Sequence, residues 1–334
     1  MQKIRAVNLG GWFVLERWMK PSLFEASTSA KHCETSFVLH HPDPLTALQA
    51  HWESWVTMED LQWIKTQGIN LVRIPIPWWL FPDKFSQPYP YHSPLRYLDK
   101  AMDMAKQAGL QVMLDLHTAP GSQNGFDNGG EEGVLTWHTD SKNIDKTIAV
   151  LEEIAKRYAL HPAMHSLQVL NEPHWTIDIA ILKDFYQRCY AALRPLLRKE
   201  TFLVFHDGFR FKEWFSFFQN TVWDHVILDT HLYQCFDAKF AKMEYAEFLN
   251  HAAKTVAEYK AMEEYVPVVV GEWSLGARDM PLPVTRDEFE RAYFNAQIQA
   301  YEQLSGWIFW AYKITNHHSG WNFRSLVERG IAKL

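Results

Sequence analysis

Residues 69–75 read INLVRIP and residues 266–271 read VPVVVG. Both are apolar almost throughout. A strand with one wet face alternates apolar and polar residues, whereas a parallel strand buried on both faces does not. Comparable short runs occur at 4–9, 110–116, 166–170, 201–205, 226–231 and 306–310, which makes eight candidate strands. Between them lie longer stretches of helical period, among them 95–107, 142–158, 179–197 and 286–304. Gly68 and Gly109 sit where two of these helices would stop. Thr285 with Glu288 spells a capping box ahead of the last long helix. Strict alternation of eight strands and helices predicts an α/β chain folded as a closed (β/α)8 TIM barrel with extended βα loops. No Pro/Gly/Ser linker or low-complexity tract interrupts it, so residues 1–334 are expected to form a single domain. An open doubly wound sheet is the alternative. The chain lacks the phosphate-loop and dinucleotide glycine patterns that such a sheet often carries.

Charge and composition narrow the partners. A net charge of −6 offers no basic footprint for nucleic acid or an anionic membrane. No apolar stretch approaches the roughly 18 residues that span a bilayer. The N-terminal MQKIRAVNLGGW has no apolar run after its basic residues and so reads as no secretory signal. Cys33, Cys189 and Cys235 have no metal or redox spacing, and a reduced, cytoplasmic protein is expected. Nothing in the sequence speaks to oligomeric state. With 15 Trp, 13 Tyr and 21 Phe the chain has aromatics for a large core or for a sugar-binding cleft, since pyranose rings stack on indoles.

A barrel should carry its chemistry just past the C-terminal ends of its strands. Those ends hold Asn8 and Glu16, Arg73, His117, Asn171 with Glu172, His206 with Asp207, His231 with Tyr233, Glu272, and Trp310. Cleavage of an acetal needs two carboxyl groups flanking one bond. Glu172 and Glu272 end strongly apolar strands three apart, so they can face each other across the barrel mouth. Either could separately be a salt-bridged structural group or a metal ligand. As a pair they predict a retaining glycosidase, with carboxyl groups about 5–5.5 Å apart. In that scheme Glu172 is the proton donor and carries the higher pKa, kept up by its negative neighbour. Arg73 and Tyr233 would keep Glu272 ionised, Asn171 would donate to the sugar 2-hydroxyl, His117 and His231 would bind hydroxyls or tune the acid, and Trp310 would floor the ring. The 16 histidines form no ligand motif and no G-x-S-x-G turn occurs, so no metal, cofactor or serine nucleophile is expected.

Seven segments in order resemble glycoside hydrolase family 5, and most closely its exo-β-1,3-glucanase branch. They are NLGGWFVLERWMKPSLFE (8–25), RIPIPWW (73–79), DLHTAPGSQNGFDNGG (115–130), LNEPHW (170–175), HLYQCF (231–236), GEWSLG (271–276) and GWIFWAYK (306–313). The resemblance implies Glu172 as acid/base, Glu272 as nucleophile, and Arg73, His117, Asn171, His231, Tyr233 and Trp310 as shared site residues. It further implies that Glu16 contacts the terminal glucose, that Asp127 and Asn128 close the pocket end, and that Phe126 and Phe236 guide a glucan at the entrance. By itself, a phenylalanine in either position is more often buried core, and the loop context alone does not decide. The implied substrate is a β-1,3-glucan oligosaccharide or another β-glucoside. Residues 25–44 and the loop 314–321 depart from the branch, which leaves β-1,6-glucosidase, β-1,4-glucanase or mannanase, and glycolipid or flavonoid glucosidase as alternatives. A non-catalytic sugar-binding barrel is the alternative of another class.

Overall fold

The computed structural model describes residues 1–277 and 282–334. Eight parallel strands close into a barrel in sequence order: β1 Ile4–Asn8, β2 Leu71–Ile76, β3 Gln111–Leu116, β4 Met164–Gln168, β5 Phe202–His206, β6 Val226–His231, β7 Val268–Trp273 and β8 Gly306–Phe309. Closure is made by β1 on β8, with Ile4 opposite Gly306 and Val7 opposite Phe309. β2, β6 and β7 are buried at every position, as strands covered on both faces must be, including the polar residues that they carry toward the barrel mouth. The alternative of an open sheet is thereby excluded.

Period-two alternation divides each strand between two environments. Ile4, Ala6, Leu71, Met113, Val204, Ile227, Val269 and Ile308 pack with one another inside the barrel, apart from the larger core between sheet and helices. Two residues further along the same inward rows the side chains turn polar: Asn8, Arg73, Asp115, His206 and Asp229, all buried. An apolar plug therefore fills the N-terminal end of the barrel, and a buried polar layer lies above it, toward the mouth.

The helices stop where the sequence said they should, with two exceptions. Gly68 and Gly109 take φ of +80° and +69°, the left-handed conformation that ends a helix without a Cβ penalty. The Thr285–Glu288 capping box is formed in both directions. The helix expected over 179–197 ends at Leu193; Arg194 still bonds back to Tyr190, but Pro195 has no N–H with which to continue the ladder. The helix expected to reach 304 ends at Tyr301.

Two strands are also displaced from expectation, and both bear on the site. β4 runs Met164–Gln168 rather than 166–170, so Asn171 and Glu172 lie on a loop beyond it. β7 extends to Trp273, so Glu272 belongs to the strand itself. Register shifts fall between Thr230 and His231 in the β6–β7 pairing, and between Val270 and Trp273 in the β7–β8 pairing. Irregularities of this kind re-aim side chains at the rim of a sheet.

Candidate active site

The polar layer is organised around Arg73. Its side chain is fully buried, and its guanidinium makes four hydrogen bonds and one further ion pair. Nε donates to Gln168 Oε1 at 2.9 Å, Nη1 to Asn8 Oδ1 at 2.8 Å and Glu272 Oε1 at 2.9 Å, and Nη2 to Asn171 Oδ1 at 2.7 Å. Nη2 also pairs with Asp115 Oδ2 at 3.0 Å. The second oxygen of Glu272 accepts from Tyr233 Oη at 2.8 Å. Both carboxylate oxygens are thus fixed at the floor of the mouth. Because Asn171 turns its carbonyl oxygen to Arg73, its amide nitrogen faces His117 Nε2, 3.4 Å away.

Glu172 is held differently. Its φ of +42° is uncommon for a residue with a Cβ and costs on the order of 1–3 kcal/mol, a strain that concentrates at functional sites. Asn128 Nδ2 donates to its Oε2 at 2.9 Å, and His231 Nδ1 lies 2.7 Å from its Oε1. The same Nδ1 is 3.4 Å from Glu272 Oε2. One oxygen of each glutamate and one nitrogen of His231 lie within 4.8 Å of each other. That closeness falls at the short, retaining end of the glycosidase geometries, since inverting pairs stand about 6.5–9.5 Å apart.

The protonation pattern corrects the sequence expectation. Burial alone would raise the pKa of Glu172, but the hydrogen bond and charge of His231 outweigh it and bring the carboxyl down to about 2. Glu272 moves up from its ordinary value because burial, helped by the charge of Glu172, exceeds the pull of His231 and Arg73. Burial would depress His231, yet Glu272 and Asp229 raise it well above an ordinary imidazole. In the free site the proton meant for Glu172 therefore rests on His231, one hydrogen bond away. The order is reversed because the imidazolium stands nearer Glu172 than Glu272.

A cavity of about 1380 Å³ opens over these groups. Trp310 lines it, stacked on His117 with centroids 5.6 Å apart and planes 9° off parallel. His117 in turn donates from Nδ1 to Asp115 at 2.5 Å. Glu16 accepts from Trp18 Nε1 at 2.9 Å. Burial and the neighbouring Asp127 raise the Glu16 carboxyl well above its usual range, and burial raises Asp127 as well. These two acids share one wall. Asn128, expected only to close the pocket end, instead bonds Glu172 directly. Phe126 and Phe236 both line the cavity, in different aromatic groups. Phe126 tilts against Trp175 at 6.0 Å, whereas Phe236 packs on Tyr233 at 5.3 Å and Trp321 at 6.2 Å.

The profile of the cellulase family, glycosyl hydrolase family 5, matches residues 32–316. The chain belongs to glycosyl hydrolase family 5. It is an O-glycosyl hydrolase. Among curated relatives it is 34% identical to a glucan 1,3-beta-glucosidase of Blumeria graminis, over 99% of this chain and 86% of that one. It is 33% identical to a glucan 1,3-beta-glucosidase of Candida oleophila, over 98% and 88%. Among solved structures, a rutinosidase from Aspergillus niger superposes with a TM-score of 0.86 at 18% identity, covering 99% and 98% of the two chains. The endoglucanase Cel5A of Thermotoga maritima gives 0.60 at 16% identity, covering 97% and 96%. The structural likenesses establish the shared barrel.

Several groups of this family 5 site were not assigned from sequence. Asp115, Gln168 and Asp229 sit in the inward rows below the strand ends. The signal for them was an acidic or amide residue at an inward position of an otherwise apolar strand. Trp18, Trp175, Phe209 and Trp321 line the cavity from loops, where sequence alone does not separate a wall from a core residue.

Proposed function

We propose that the protein is a retaining β-glucosidase or exo-β-glucanase that removes terminal glucose from β-1,3-glucan oligosaccharides or related β-glucosides. The observation that carries this reading is the placement of Glu172 and Glu272 on either side of one imidazole nitrogen, with carboxylate oxygens within 4.8 Å. The linkage is supported by the names of the fungal relatives.

In the first step the proton shared by His231 and Glu172 is delivered by Glu172 to the glycosidic oxygen. Glu272, oriented by Arg73 and Tyr233, attacks the anomeric carbon as the bond to the leaving group breaks, giving a glucosyl ester. In the second step Glu172 takes a proton from water, the water oxygen attacks the same carbon, and Glu272 leaves as carboxylate. In this reading the Asn171 amide donates to the 2-hydroxyl, a contact that strengthens as positive charge develops on the ring. In the same reading Trp310 is the flat face for the sugar, and Glu16 with Asp127 accepts from hydroxyls at the closed end.

Proton NMR of laminaribiose or an aryl β-glucoside during hydrolysis tests the reading. The β-anomer of glucose should form first; an α-anomer would refute retention. Glu272→Gln should abolish turnover while leaving the thermal transition in place, and retained activity would mean another nucleophile. A panel of β-1,3, β-1,4 and β-1,6 disaccharides tests the linkage, with the β-1,3 compound expected to be cleaved with the highest kcat/KM.

A further inference from the structure

Asp229 lies one inward position below His231 on β6, fully buried. Its Oδ2 accepts from Gln168 Nε2 at 2.7 Å and lies 3.2 Å from His231 Nε2. On its other side stands Gly271, where a Cβ would come within 2.0 Å of Asp229 Oδ1. Only the bare backbone of a glycine leaves the carboxylate that space. Arg73, the other cation of the layer, is engaged by Gln168, Asn8, Glu272, Asn171 and Asp115. The neighbouring His206 accepts from the Gly208 N–H through Nδ1 at 2.9 Å, and burial with the charge of His231 keeps it neutral. The direct ion-pair partner of Asp229 is therefore His231. The other titratable or charged groups facing this pair are Glu172 beyond β4, Tyr186 on the helix Ile179–Leu193, His206 and Asp207 at the end of β5, Glu272 on β7 and Arg73 on β2.

An imidazole has two nitrogens, and the partner of one decides what the other can do. A carboxylate at Nε2 fixes the N–H on that side and aims Nδ1 away from it. Here Nδ1 points into the gap between the two glutamates, nearer Glu172. We propose that Asp229 is a positioning residue for the acid/base: by accepting the Nε2–H of His231 it orients the ring and keeps a proton on Nδ1, facing Glu172. The inference rests on Glu172 being the proton donor. It adds a buried carboxylate–imidazole–carboxylate line, from Asp229 through His231 to Glu172, behind the reacting pair.

The test is Asp229→Asn, which keeps the shape and removes the negative charge. The proton on His231 should then be lost at lower pH. The alkaline limb of kcat/KM should move acidward by about one pH unit, with kcat reduced about tenfold above the limb and KM little changed. A folded variant with an unshifted pH profile would overturn the proposal, whether its activity falls or not, since that pattern is what a merely structural aspartate gives. Nitrogen-15 NMR of histidine-labelled wild type, with His231 assigned through His231→Asn, reads the arrangement without relying on the variant or on turnover. Both ring nitrogens of His231 should carry protons at pH 7. An unprotonated Nε2 would overturn the proposal even if Asp229→Asn fails to fold. Doubly protonated His231 in a protein that cleaves no β-glucoside would place the failure in the role of Glu172.

Discussion

Glu272 has both oxygens committed to donors, and its protonation sets the acid side of the rate profile. As pH falls through its pKa the nucleophile is neutralised and kcat/KM is lost. Because burial raises that pKa, the acid limb should lie above the 4.5 of an ordinary glutamate. Tyr233→Phe removes a donor to the charged form and should move the limb further toward neutral, which a pH profile of the variant would read. Glu34 offers a second titration, remote from the chemistry. It begins the helix Glu34–His40 with its side chain wholly buried, and burial raises its pKa to about 8 although Leu15 N–H donates to it at 3.0 Å. Its native state binds the proton more tightly than the unfolded chain. The stability it contributes is full below pH 4.5 and is lost as pH rises toward 8. Glu34→Gln cannot ionise, so its Tm should gain on the wild type progressively between pH 5 and pH 8, as measured by parallel melts.

The loops that follow the strands turn a scaffold into a cavity. Gln123, on the loop after β3, ties two of them together. Its Nε2 donates to the carbonyl oxygens of His117 and Asn171 at 2.8 and 2.9 Å, and its Oε1 accepts from Ala119 N–H at 3.0 Å. The turn that carries Glu172 is thereby fastened to the loop that carries Phe126 and Asn128. Trp175 continues from Glu172 on the same turn, is 51% exposed, and meets Phe209 edge-on at 6.0 Å. An indole so exposed on the cavity wall is available to stack against a sugar beyond the cleaved bond. Trp175→Ala should raise KM for laminaritriose about two- to tenfold with a smaller change in kcat. Equal effects on β-glucosyl fluoride, whose leaving group is a single atom, would argue against a stacking role.

At the scale of the whole molecule, the ring of strands meets in Arg73. Its partners come from β1, β3, β7, β4 and the loop after β4, so one buried guanidinium joins much of the barrel to the catalytic pair. Arg73→Met would take the guanidinium away from Asp115 and Glu272 and leave their buried oxygens without its hydrogen bonds and charge. A loss of about 3–5 kcal/mol is expected in denaturant unfolding, together with loss of activity. The barrel itself was legible in the sequence, because strands buried on both faces must be written as apolar runs such as LVRIPI and VPVVVG. The glutamates and their neighbours were legible as polar residues where those runs end. Less was visible inside the barrel. A lone aspartate within VILDTH reads as a flaw in a strand until closure brings Gln168, Gly271 and His231 around it. The limits of β4 and β7 were misplaced for a related reason: apolar residues continue past the last ladder bond of β4, and Glu272 is polar yet still paired. The order of protonation was not legible at all. Sequence determined which acids and bases this protein owns and that they would gather at one end of a barrel. Only the tertiary structure decided which of them holds the proton, because that depends on an imidazole standing 2.7 Å from one glutamate and 3.4 Å from the other.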